Sequence, residues 1–206
     1  MAEPSLLPSL AAAGLVPGAG LLADLIPATF APTTRLDVVF ASPPSGEAAA
    51  VDLGATLFRS RQCARPPRVS FAPEGGDPGP ATYLLVMADP DAPTPDDPKF
   101  AFWRHYVVRG LRAAAAAAVD DDDDDETQVL TEYLGPGPKE DSKPHCYLSL
   151  LYREPPGGLR GLARADVGGD AFVERRSFAP AAFAARHGLV LVAANWMRCA
   201  ADRWTE

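Results

Sequence analysis

The sequence predicts a mainly β protein, a β-rich core with peripheral helices. Three observations lead there. Strand-like runs recur through the middle of the chain, at Arg35–Phe40, Thr82–Ala88, Phe100–Val108 and His145–Tyr152. Helical candidates sit mostly near the termini. No strand–helix–strand alternation of the βαβ kind is present, and no internal repeat.

Taken in order, Ser5–Ala13 is a short helical candidate that Pro17-Gly18-Ala19-Gly20 ends. Leu21–Ile26 is a second, closed by Pro27. Arg35–Phe40 carries β-branched and aromatic residues with partial alternation, and Ser42–Gly46 is a turn cluster. Val51–Phe58 pairs weakly. Arg68–Phe71, bounded by Pro66-Pro67 and Pro73, reads as an edge strand. Thr82–Ala88 is a near-continuous apolar run of strand length, which predicts burial on both faces; it delivers Asp89 at its end. In Phe100–Val108 a period of two places Trp103, His105 and Val107 on one face, and Gly110 stops the strand. In His145–Tyr152 it places His145, Tyr147, Ser149 and Leu151 together. Tyr133–Pro138 and Pro155–Gly169 read as Gly-rich loops. Pro180–His187 reads as a helix opened by its proline and capped by Gly188. Leu189–Ala193 is a strand, and Asn195–Trp204 a short terminal helix.

The 206 residues suffice for one domain with a sizeable core. Residues 1–20 form a flexible or helical N-terminal segment and 21–206 the domain. The segment at 113–126, six alanines and then an acidic run, reads as a disordered insertion, because like charges repel and stay solvated. Net charge is −8, and Asp120–Glu126 alone carries −7. The remainder is near neutral, so there is no basic footprint for nucleic acid and no polybasic membrane patch. No apolar run approaches 18 residues, so no transmembrane segment is expected. Glu3 and the breaks at Pro8 and Pro17 argue against a signal peptide. Cys63, Cys146 and Cys199 are far apart and show no C-x-x-C spacing. They fit reduced thiols in a cytoplasmic protein, with vacuole or membrane association as the alternative location.

One constellation carries chemistry. Asp89-Pro90-Asp91-Ala92-Pro93 holds two carboxylates at defined angles, because each proline restricts itself and the residue before it. Trp103 and His105 follow, then the Gly/Pro loop with Gly135 and Gly137, then His145 and Tyr147. A carboxylate beside a histidine raises its pKa and fixes its tautomer. Two such histidines on neighbouring strands would accept an anion when protonated. Glycines let backbone N–H groups approach a ligand, and Trp103 supplies an apolar wall. The whole fits a small-ligand pocket. Singly, each piece reads as a turn or a satisfied core residue. No Gly-x-Ser-x-Gly motif occurs. Two other classes remain open at this point. One is a metal-dependent hydrolase ligated by His105, His145 and Asp89. The other is an interaction protein whose Asp run docks a basic partner.

The combination resembles the phosphatidylethanolamine-binding protein family: Asp89–Pro93, Trp103-x-His105, Tyr133-x-Gly135-x-Gly137-Pro138 and His145-x-Tyr147 stand at matching spacings. Arg176-Ser177-Phe178 and Val192-Ala193-Ala194-Asn195-Trp196 also resemble the family's closing helix and strand. Leu25-Ile26-Pro27 and Leu53-Gly54 look most like the fungal branch, which includes carboxypeptidase Y inhibitors. The resemblance implies a β-sandwich with a large central antiparallel sheet. It implies a non-enzymatic binding or regulatory protein that uses no cofactor. Its pocket would take a phospholipid headgroup or other phosphate-type anion and involve Asp89, Asp91, Pro93, Trp103, His105, Gly135, Gly137, His145 and Tyr147. Protonated His105 and backbone N–H groups would hold the phosphate, with Asp89 orienting the histidines. The implied protein partner is a serine carboxypeptidase or a kinase. The sequence departs from the family at Thr94-Pro95, where Ser-Arg is usual, and at Cys146, where Arg is usual.

Overall fold

A computed structural model describes residues 5–41, 48–75, 81–113 and 127–205. Most of the 113–126 insertion, the docking run Asp120–Glu126 included, lies outside the described residues, as does the Ser42–Gly46 turn.

Among the described residues nine strands form two sheets. The smaller has the order β2-β1-β4, from β1 (Leu36–Ala41), β2 (Ala48–Ala50) and β4 (Arg68–Phe71), all antiparallel. The larger has the order β3-β9-β8-β5-β6-β7, from β3 (Thr56–Phe58), β5 (Tyr83–Asp89), β6 (Trp103–Leu111), β7 (Gln128–Thr131), β8 (His145–Arg153) and β9 (Val190–Ala200). Every pairing in it is antiparallel except β3 with β9, which is parallel.

The large sheet is covered on both faces, which explains why β5 is apolar at almost every position and buried throughout. On one face Leu84, Val86, Ala88, Leu148, Leu150 and Trp196 pack against helix α1 (Leu6–Ala12), Leu22, Ile26 and helix α3 (Pro180–Arg186). On the other, Leu85, Met87, Tyr147 and Leu151 meet Leu36, Val38, Phe40 and Phe71 of the small sheet. β1 alternates buried and less buried positions accordingly. Leu6, Leu10 and Leu15 are buried in the first of these layers, so the N-terminal segment packs onto the sheet.

Several elements depart from the expectations. The Asn195–Trp204 helix is not formed: β9 runs on to Ala200. Trp196, Met197 and Cys199 are buried between β8 and β3, and that tertiary burial overrides the helix-compatible Ala, Met and Arg. Gly110 does not end its strand. It takes φ +75° at a register irregularity, where the chain bulges and then continues to Leu111. Its N–H donates to Glu154 Oε1 at 2.8 Å. Val107 does not share a face with Trp103 and His105. Met87 pairs with Tyr106 and Ala88 with Arg104, so His105 is an extra residue in β6. That bulge keeps His105 and Tyr106 on the small-sheet side and sends Val107 to the helix side. Val51–Phe58 is split by a turn in which Ala55 N–H donates to Asp52 O at 3.0 Å. The Leu21–Ile26 region contributes only a 3-10 turn at Gly20–Leu22. Strand β7 and the one-turn helix α2 (Arg164–Val167) were not foreseen in the sequence.

Candidate functional site

The cluster forms where β5, β6 and β8 end together. Asp89 closes β5 opposite Trp103, the first residue of β6. His145 opens β8. Asp89, His105, His145 and Tyr147 are all at most 4% exposed, so their polar atoms require internal partners.

Those partners are present. Asp89 Oδ2 accepts from His145 Nδ1 at 2.9 Å, and Oδ1 accepts the Asp91 backbone N–H at 2.6 Å. Asp91 in turn accepts the Cys146 backbone N–H through Oδ2 at 2.6 Å. The two carboxylates thus do separate work: Asp89 fixes an imidazole, and Asp91 ties the Pro90–Pro93 turn to the start of β8. Ala92 O accepts from Phe100 N–H at 2.9 Å, which closes the turn on itself. Pro93 follows a cis peptide bond in that turn.

His105 is held differently. Its Nδ1 donates to the Leu134 carbonyl at 2.6 Å, and Leu134 N–H donates back to the His105 carbonyl at 2.9 Å. Leu134 therefore clamps both the ring and the main chain of the bulged residue. Asp89 orients His145 directly and acts on His105 only through its charge. Tyr147 stands between the two rings, edge-on to His105 at 5.1 Å and stacked with His145 at 6.4 Å.

Burial sets the electrostatics. It lowers the His105 pKa, against the opposing pull of Asp89 and the Leu134 carbonyl. His105 is therefore held towards the neutral imidazole. Burial raises the Asp91 pKa, opposed by the Cys146 N–H bond. It pushes the Tyr147 phenol well up, with Asp89 adding to the effect, so Tyr147 stays a neutral hydroxyl that also takes a backbone hydrogen bond from Gly137.

The Gly/Pro loop follows β7. Tyr133 OH donates to the Cys63 carbonyl at 2.7 Å. At Gly135 a Cβ would sit 2.9 Å from that same carbonyl oxygen, so this position has no room for a side chain. Gly137 is exposed, with nothing within 4 Å of its Cβ position. Arg59 secures the far end through the Pro138 carbonyl and Glu140.

Two groups at the cluster leave no legible sequence signal. Arg175 is 5% exposed and donates from Nη1 to the carbonyls of Glu132 at 2.8 Å and His105 at 3.2 Å, and from Nε to that of Asp170 at 3.2 Å. Ser142 Oγ lies 3.2 Å from His145 Nε2 and donates to the Lys143 carbonyl at 3.0 Å. Ser142–His145–Asp89 follows the order of a hydrolase triad. However, the Ser142 N–H is bonded to Lys139 O at 3.1 Å, so the nucleophile's own amide is not free as an oxyanion donor. Among the described residues no group of three His, Cys, Asp or Glu is placed to hold a metal ion. Both Asp89 oxygens are already engaged, by His145 and by the Asp91 N–H, so the metal-hydrolase alternative finds no support in this geometry.

Fold and cluster together define a class: two-sheet β proteins with a buried Asp–His cluster at the end of the central sheet. A family profile described as phosphatidylethanolamine-binding protein matches residues 48–195. The chain belongs to the phosphatidylethanolamine-binding protein family. The carboxypeptidase Y inhibitor of Saccharomyces cerevisiae is 30% identical over 112 residues, 50% of this chain and 49% of that protein. The match therefore spans about half the length of that relative. Among solved structures, a carboxypeptidase Y inhibitor complexed with its cognate proteinase superposes with a TM-score of 0.69 at 25% identity, covering 95% of each chain. The phosphatidylethanolamine-binding protein of Plasmodium vivax superposes equally well, TM-score 0.69, over 98% of this chain and 100% of its own; at 18% identity that likeness concerns the fold. Among the described residues, no helix is long and apolar enough to cross a membrane.

Proposed function

We propose that this chain is a non-catalytic binding protein whose Asp89/His105/His145/Tyr147 cluster receives a phosphate-type anion or phospholipid headgroup, and that it inhibits a serine carboxypeptidase. The observation that carries the anion reading is the pair of buried imidazoles, each anchored through Nδ1, on either side of Tyr147. Anchoring of that kind leaves His105 Nε2 as the group that meets a ligand, while His145 Nε2 faces Ser142 Oγ at 3.2 Å and would turn to the ligand in exchange for that contact. Asp91, Pro93 and Trp103 shape the wall. The inhibitor reading rests on the likeness to a carboxypeptidase Y inhibitor in both sequence and fold. Modulation of a kinase pathway is the less supported regulatory role, since no relative described above points to one.

Two assays test the parts separately. Phosphate titration by calorimetry should show binding that weakens as pH rises and disappears in a His105→Ala, His145→Ala variant; unchanged affinity in that variant removes the pocket assignment. Inhibition of a carboxypeptidase Y-type enzyme should be measured with the full chain and with residues 1–20 deleted. No inhibition by the full chain removes the inhibitor reading. An alkyl fluorophosphonate that modifies Ser142 covalently would overturn the non-catalytic reading.

A further inference from the structure

A cavity that shares no residue with the cluster lies at the free edge of β9. It encloses about 300 Å³, the small end of the range for ligand pockets. Leu6, Leu36, Leu53 and Ala194 supply its apolar walls, and the exposed Asp52 and Arg35 form its rim. The strand edge accounts for it. β3 pairs with β9 only at Arg198, Cys199 and Ala200. Before that point the outward carbonyls of β9 are met by loops: Trp196 O accepts the Gly54 N–H at 2.8 Å, and Val192 O accepts the Thr33 N–H at 2.9 Å. Alternation turns the N–H and C=O of Ala194, which lies between them, to the same side. Ala194 is 9% exposed, and among the described residues neither group has a partner on that side. A buried edge donor and acceptor thus stand together at the cavity and lack what an added strand would supply.

A carboxylate stands over the same stretch. Val51 O accepts Asn195 Nδ2 at 3.0 Å, so the chain around Asp52 is tied to β9 on both sides, through Val51 and through Gly54. Between those ties the turn is tight: Leu53 takes φ +33°, and a Cβ at Gly54 would lie 2.6 Å from the Trp196 ring. The turn therefore fixes Asp52 over the segment of β9 that contains Ala194. Among the described residues the Asp52 carboxylate has no hydrogen bond or ion pair. Arg35 is already paired with Asp37 at 2.9 Å, so the unbalanced charge at the rim is negative.

We propose that this cavity binds a dipeptide with a free amino terminus. The ligand's ammonium group pairs with Asp52. The N–H and C=O of its second residue pair with the C=O and N–H of Ala194, as one more residue added to the edge of β9. Its apolar side chain fills the space between Leu6, Leu36 and Leu53. Two extended residues span about 7 Å, which suits a cavity of this size. The site does not depend on the anion-pocket reading, because the two have no residue in common.

The test titrates the isotope-labelled full chain with leucyl-alaninamide, following the Ala194 amide by NMR and the affinity by calorimetry. Two analogues separate the contacts: the N-acetylated compound lacks the charge, and the compound methylated on the alanine nitrogen lacks the donor to Ala194 C=O. Wild type should show a saturable shift of the Ala194 resonance and slower hydrogen exchange at that amide. Acetylation and Asp52→Asn should each weaken binding roughly two- to five-fold, the range of an exposed charge pair, and should not add to one another. Methylation should weaken it about ten-fold. Inorganic phosphate should not displace the dipeptide, and His105→Ala should bind it as wild type does. No saturable shift at Ala194, or an affinity unmoved by methylation, overturns the site. Equal weakening by acetylation in wild type and in Asp52→Asn overturns the role of Asp52. Displacement by phosphate, or loss of dipeptide binding in His105→Ala, would place the ligand in the cluster and overturn the inference while leaving the anion pocket intact.

Discussion

Replacing Arg175 with lysine keeps the charge and removes the fork. Arg175 donates at 2.8 Å to the Glu132 carbonyl, at 3.2 Å to that of His105 and at 3.2 Å to that of Asp170. A lysine ammonium reaches one of these from the same buried stem; the others lose their donor. The His105 carbonyl retains the Leu134 N–H, so its loss is partial. The two lost hydrogen bonds from a charged donor, taken at roughly 1.5 kcal/mol each because one loss is partial, give a destabilisation of about 3 kcal/mol. For a chain of this length 1 kcal/mol moves Tm by about 2–4 °C, so Arg175→Lys should melt about 6–12 °C below wild type. Thermal denaturation followed by near-UV circular dichroism at pH 7.5 measures it directly. A fall below about 2 °C would refute the reasoning, because Arg175 would then act as a generic buried charge and not as the clasp joining β6, β7 and the 3-10 turn at Phe172–Arg175.

Two further outcomes follow from the same cluster. Stability should fall as pH drops from about 7.5 to 5.5. Burial lowers the His105 pKa in the folded state, so the unfolded chain binds the proton more readily and gains population, by up to about 1.4 kcal/mol per pH unit. Urea melts of wild type and His105→Phe across that range should show a shallower slope for the variant, and equal slopes would exclude His105 as the cause. Gly135→Ala drives a methyl group against the Cys63 carbonyl oxygen. It should cost about 1–3 kcal/mol and weaken phosphate binding together with stability, whereas an unchanged melt would show that the loop yields at no cost.

Much of this architecture was legible in the sequence, for identifiable reasons. β5 announced itself because a strand buried on both faces needs an apolar residue at almost every position. Asp89, His105, His145 and Tyr147 stood out because Asp, Pro, Gly and His are scarce and distinctive, and spacing places them at strand ends. The clamps did not stand out. The Leu134 carbonyl that holds His105 is a main-chain group and belongs to every residue type alike. Arg175 and Arg176 are adjacent and identical in type, yet one is saturated with carbonyls and the other lies between aromatic rings; only three-dimensional context separates them. β9 was cut short for a related reason. Ala193–Ala200 contains residues that suit helices, and its place between β3 and β8 is a property of the sheet and not of the segment.

The extra residue at His105 has a consequence for how this strand tolerates change. Alternation in a strand is rigid, so a one-residue insertion or deletion normally turns every later side chain over. In β6 the bulge at His105 lies between the segment that pairs with the end of β5, Trp103 and Arg104, and the segment that fills the two cores, Val107 and Val108. Removing the bulged residue would bring the strand into simple alternation with β5, with Trp103 still opposite Asp89 and Val107 and Val108 in their places, and the only loss would be the imidazole itself. The strand is thus divided into two halves with independent phase. The half that carries the Asp89–His105 cluster can be lengthened, shortened or re-aimed over evolutionary time without disturbing the half that fills the two cores.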